Sequence, residues 1–123
     1  MKLYRIKHKP TGLYFRPLRG KYTNFDVKGK VYDTKYAFNQ VTNPEHMFFY
    51  DTLYFMANRG RSKKKLPVEY VIGMKIHNGE IPGIDIQSDR TTDDYVDIRI
   101  NNHPEDWEIE YIEVNITVLN EQD

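Results

Sequence analysis

The chain contains no cysteine, and that one absence excludes disulfides, thiolate metal sites and cysteine nucleophiles together. It suits a reducing cytosol. No uninterrupted apolar run approaches the ~20 residues that span a bilayer. Residues 1–9 carry charge without an apolar segment, so neither a membrane span nor a secretory leader is expected. There is no Gly-x-Ser-x-Gly elbow, phosphate-binding glycine loop or dinucleotide fingerprint. The four histidines (His8, His46, His77 and His103) are isolated from one another, without the close spacing of zinc ligands. No metal, cofactor or catalytic residue is therefore expected, and a binding role is favoured over an enzyme.

Charge of one sign is also missing, but locally rather than overall. The 18 Lys/Arg and 18 Asp/Glu cancel across the chain. Residues 1–66 nevertheless hold 15 Lys/Arg against 4 Asp/Glu, and residues 67–123 hold 3 against 14. A neutral total thus hides a basic half and an acidic half. Of the 17 aromatic residues, 13 lie in the basic half. A length of 123 residues predicts one domain, 1–123, because strands on both sides of the charge boundary are needed for a single core.

Strand patterns dominate. Residues 2–16 predict a hairpin, with Tyr4 and Ile6 alternating against Arg5, Lys7 and Lys9 and a turn at Pro10-Thr11-Gly12. Gly29-Lys30-Val31-Tyr32 predicts a third short strand, and residues 47–57 predict two strands or one bent strand. Val68–His77 predicts a long strand joined by an Asn78-Gly79 hairpin turn to a return strand over 81–86. Tyr95, Val96, Ile98 and Ile100 mark another strand, and His103-Pro104-Glu105-Asp106 a single helical turn. In residues 107–119 the apolar parity changes, which predicts a bulge or a crossing between sheets near Tyr111. No amphipathic helix of ten or more residues is expected. The class is all-β, or α+β with little helix, as a small antiparallel barrel or two packed sheets.

The opening run Tyr4-Arg5-Ile6-Lys7-His8-Lys9-Pro10-Thr11-Gly12-Leu13-Tyr14-Phe15, the segment Gly29-Lys30-Val31-Tyr32 and the closing Asp106-Trp107-Glu108-Ile109-Glu110 resemble a group of small uncharacterised bacteriophage proteins. Residues 36–103 depart from the shorter members of that group. The resemblance implies a phage protein acting in the cytoplasm of an infected bacterial host, and it implies no activity.

Two clusters are candidates for function. The loop Arg59-Gly60-Arg61-Ser62-Lys63-Lys64-Lys65 carries five cations, the charge that phosphate contact needs. Tyr50, Tyr54 and Phe55 lie near it in sequence and, if exposed, would stack on unpaired bases. The acidic run containing Asp85, Asp89, Asp93, Asp94 and Asp97 lacks the ligand spacing of a calcium loop. Asp89, Asp93, Asp94 and Asp97 instead suit a basic partner, or imitate the phosphates of a nucleic acid. If the first strand lies beside the last, Arg5, Lys7 and Lys9 face Glu108, Glu110 or Glu113, and part of the charge division is internal pairing. Three readings follow. The first is a binding protein that engages a host or phage protein through oppositely charged patches. The second is an RNA- or single-stranded-DNA-binding protein using the 59–65 loop. The third is a self-assembling structural protein.

Overall fold

The structure, a computed structural model, describes residues 2–17, 23–62 and 64–113. In β1 (Leu3–His8), Tyr4, Ile6 and His8 turn inward while Leu3, Arg5 and Lys7 turn outward, the two-residue period of a half-buried strand. Pro10-Thr11-Gly12 returns the chain into β2 (Tyr14–Phe15), and the expected hairpin forms. The next strand is β3 (Phe25–Asp26), not residues 29–32, of which only Tyr32 bridges to Tyr4. There follow α1 (Tyr36–Thr42), β4 (Thr52–Asn58), α2 (Val68–His77), β5 (Ile86–Asp89) and β6 (Tyr95–Asn101). A 3₁₀ turn at Pro104–Asp106 then leads into β7 (Trp107–Ile112). Residues 47–57 therefore supply a single strand, β4.

The strands form two antiparallel sheets, ordered β3-β2-β1-β7 and β4-β6-β5, with little helix. Neither closes into a barrel, so two packed sheets are the observed form. Their buried faces share one apolar cluster, in which Phe25 from the first sheet packs on Phe55 from the second and stacks on Trp107 at 5.6 Å. Asn24 joins the sheets: its N–H donates to the Tyr54 carbonyl, and its Oδ1 accepts the Tyr54 N–H, both at 2.8 Å. This pairing covers part of the open edge of β4, an edge that would otherwise invite another strand.

The segment 68–77 is a helix rather than the expected strand. Its apolar run is nearly continuous, so period alone does not separate a buried strand from a buried helix. Tyr70, Gly73 and Ile76 are its buried positions, at helical spacing. A side chain at Gly73 would place its Cβ 2.6 Å from Val96 and 2.9 Å from Phe55, so glycine is what lets α2 lie against β4 and β6. Asn78-Gly79 ends the helix instead of turning a hairpin. Gly79 (φ +73°) donates to Ile76 and Glu80 donates to Lys75, the paired bonds of a left-handed helix stop. The expected return strand is accordingly displaced to Ile86–Asp89.

β1 and β7 pair without a register break from Leu3↔Ile112 to His8↔Trp107. No bulge occurs at Tyr111. The irregularity lies in β5, between Ile86 and Ser88. Of the stretch in which parity changes, residues 114–119 lie outside the described residues. The pairing sets Arg5 opposite Glu110 and Lys7 opposite Glu108, so part of the charge division is indeed internal. Arg5 Nη2 reaches Glu110 Oε1 at 2.5 Å, and the Tyr14 hydroxyl bonds the same carboxylate at 2.8 Å. Hydrogen bonds from Tyr14 and Arg5 hold the Glu110 carboxyl below its usual range. A double-mutant cycle with Arg5→Met and Glu110→Gln is expected to give a favourable coupling of about 1 kcal/mol in urea unfolding. A coupling of zero would mean that this ion pair does not help to fix the register.

Candidate functional site

Beyond Asn58, paired with Tyr95, the chain leaves the second sheet at Arg59, whose N–H donates to the Asp94 carbonyl at 2.8 Å. The basic loop therefore starts beside the β5–β6 turn that carries Asp93 and Asp94. That turn is built locally. Asp94 N–H donates to the Thr92 hydroxyl and Thr92 N–H to the Tyr95 carbonyl, while the Tyr70 hydroxyl of α2 donates to the Asp93 carbonyl at 3.2 Å. Two loops far apart in sequence and opposite in charge thus share one end of the sheet.

Arg61, Lys64, Lys65, Asp93 and Asp94 are exposed, and among the described residues none of them forms an ion pair. Arg59 is half-buried, with its Nε buried and without a hydrogen-bond partner. Lys63 lies outside the described residues. The aromatics expected to assist this loop are elsewhere engaged. Phe55 is fully buried, and Tyr50 packs edge-on against Phe15 at 5.5 Å. Tyr54 lies under the Arg99 guanidinium at 5.0 Å. Phe55 is therefore a core residue and not a stacking platform.

The acidic candidates divide. Asp93 and Asp94 face the basic loop's end of the sheet, but Asp89 and Asp97 do not join them. Asp89 closes β5, where its carboxylate takes His77 Nδ1 at 2.6 Å and both the N–H and the hydroxyl of Thr91. Partial burial alone would raise this carboxyl; the bonds from His77 and Thr91 hold it below its usual range. Asp97 is half-buried on β6, beside Ser88, Arg90 and Arg99, around a small concavity of about 160 Å³. Asp85 pairs with His103 at 3.0 Å. Two histidine–aspartate contacts therefore hold β5 close to both of its ends, and the isolated sequence positions of His77 and His103 gave no sign of this.

A second exposed feature surrounds α1, where the rings of Tyr36, His46 and Phe48 cluster within 5.0–6.4 Å beside the exposed Met47. Among the described residues, no group of three or more His, Asp or Glu side chains is arranged to hold a metal ion, and no helix is long and apolar enough to cross a membrane. No protein-family model, curated protein or solved structure matches this chain.

Proposed function

We propose that the chain is a non-enzymatic binding protein of bacteriophage type that engages a host or phage protein in the infected bacterial cytoplasm. The contact runs through the paired loops, with Arg61, Lys64 and Lys65 on one and Asp93 and Asp94 on the other. The single observation that carries this reading is the Arg59–Asp94 main-chain bond, which sets the start of the basic loop beside the acidic turn. Such an alternating surface selects a partner of complementary pattern and steers its approach more than it adds raw affinity. A nucleic acid fits this end less well. Two carboxylates would repel the phosphates that the cations attract, and Phe55 is not available to stack.

The test is affinity capture of the tagged full chain from infected cells, with and without nuclease, across a salt series. A partner retained after nuclease and released as salt rises is expected. Retention that ignores salt, or a partner lost on nuclease treatment, overturns the reading.

Self-assembly has one supporting observation. Because both loops occupy one end of the sheet, a two-fold dimer would pair each basic loop with its neighbour's acidic loop and close without forming a filament. Light scattering that reports a dimer at low salt and a monomer at high salt would favour it.

A further inference from the structure

Away from the paired loops, an open groove of about 530 Å³ lies between the end of β2 and the turn after β3. It is lined by Arg16, Pro17, Lys28, Gly29, Lys30 and Val31. Three cations border it, and the two nearby carboxylates are already engaged: Glu69 Oε1 accepts the Val27 N–H at 3.1 Å, and Asp26 makes three contacts. Asp26 Oδ1 accepts the N–H groups of Lys28 and Gly29, and its Oδ2 takes Arg16 Nη1 at 3.0 Å. That single-oxygen contact leaves other guanidinium donors of Arg16 open to a ligand. Among the described residues the Lys28 ammonium forms no ion pair, and the Lys30 ammonium sits 5.6 Å from the centre of the Tyr32 ring.

The groove is also held in shape. Lys30 N–H donates to the Phe15 carbonyl, and Arg5 Nη1 donates to the Lys28 carbonyl. Binding therefore costs little ordering of the backbone.

We propose that this groove binds a nucleotide through its phosphate. A phosphate monoester carries a charge of about −1.5 to −2 and three strong acceptor oxygens, which match a guanidinium fork and two ammonium groups beside carboxylates that already hold backbone N–H groups. Pro17 and the half-exposed Val31 supply apolar wall for the flat base. The volume lies within the range of small-molecule sites, about 300–1,000 Å³. The three bordering cations outnumber the two nearby carboxylates, so the local charge favours an anion here. At the 59–65 loop, Asp93 and Asp94 oppose it.

Calorimetric titration of the full chain with adenosine monophosphate, inorganic phosphate and a single-stranded hexanucleotide tests the proposal. The monophosphate is expected to bind. The Lys28→Ala/Lys30→Ala variant, which removes two exposed side chains and keeps the fold by circular dichroism, is expected to bind about tenfold more weakly. Arg16→Lys keeps the charge but loses the fork and is expected to weaken binding as well. Lys64→Ala/Lys65→Ala is expected to bind as wild type does. If the hexanucleotide binds more tightly than the monophosphate through the same residues, the phosphate comes from a nucleic-acid strand and the proposed chemistry stands. The proposal is overturned if the monophosphate gives no heat at millimolar concentration, if the Lys28/Lys30 variant binds like wild type, or if inorganic phosphate binds as tightly as the nucleotide.

Discussion

Acidifying the protein from neutral pH to about pH 4 is expected to remove about 3 kcal/mol of folding stability through one side chain, His8. His8 is 2% exposed, between the rings of Phe25 and Trp107, and burial pushes its pKa down to about 3. In the unfolded chain the imidazole returns to about 6.5. Above that pH both states hold a neutral ring, and His8 makes stability independent of pH. Below it the unfolded chain takes a proton that the folded core refuses, so stability falls as the pH drops towards 3. The full gap corresponds to about 5 kcal/mol.

Asp106 Oδ2 stands 3.9 Å from His8 Nε2, but a neutral imidazole makes no ion pair there. Burial raises the Asp106 carboxyl, so its own proton uptake in acid offsets part of the loss. The depressed carboxyls of Glu110 and Asp89 add to the loss only at lower pH, as they protonate. Urea unfolding of wild type and His8→Leu at a series of pH values checks this. The variant loses the hydrogen bond to Thr11 at every pH but should lack the His8-linked decline that wild type shows between about pH 6.5 and 4. Equal declines in the two proteins would assign the acid sensitivity elsewhere.

Trp107→Ala is expected to cost about 3–5 kcal/mol, the upper range for a buried aromatic. The indole stacks on Phe25, meets Phe15 edge-on at 5.7 Å and lies 4.8 Å from the His8 ring. Its Nε1–H donates to Asn102 Oδ1 at 2.8 Å, and Asn102 in turn donates to the carbonyls of Val41 and Tyr50. Truncation therefore opens a void between the sheets and frees the polar link to α1. Trp107→Phe keeps most of the packing and loses only the link, so a smaller cost of about 1–2 kcal/mol is expected. Urea melts followed by circular dichroism measure both, since neither variant retains a tryptophan. Equal losses in Phe and Ala variants would mean that the hydrogen bond, rather than packing, carries the effect.

What the sequence revealed was mostly what local chemistry decides. The alternation of Tyr4 and Ile6 with Arg5 and Lys7, together with Pro10-Thr11-Gly12, was enough to define the first hairpin. Pro104 marked the 3₁₀ turn, and opposite charges near the two ends correctly suggested that β1 lies beside β7. Val68–His77 reads as a strand because β-branched residues on a nearly continuous apolar run favour one locally. Contact with Val96 and Phe55 through Gly73 selects the helix instead. Asn78-Gly79 has two structural uses, and only the Lys75 and Ile76 carbonyls behind it decide between them. The seven-residue α1 is too short to show a period.

The candidate site was legible as composition and not as geometry. The basic loop and the acidic run were both visible, but nothing in the sequence set Arg59 against Asp94 or separated Asp89 and Asp97 from Asp93 and Asp94. The groove around Arg16, Lys28 and Lys30 was hidden more deeply still. Its cations come from two different turns, and in sequence they merge into the general excess of the basic half.

Part of the division of charge is paired internally between β1 and β7, and at the paired loops it is left open for a partner. The most direct test is to capture partners from infected cells with wild type and with the Arg61→Glu/Lys64→Glu/Lys65→Glu variant, whose substitutions fall on exposed side chains that form no ion pair among the described residues. The variant is expected to lose the nuclease-resistant partner while its urea midpoint stays that of wild type. Capture of the same partner by both proteins would contradict it.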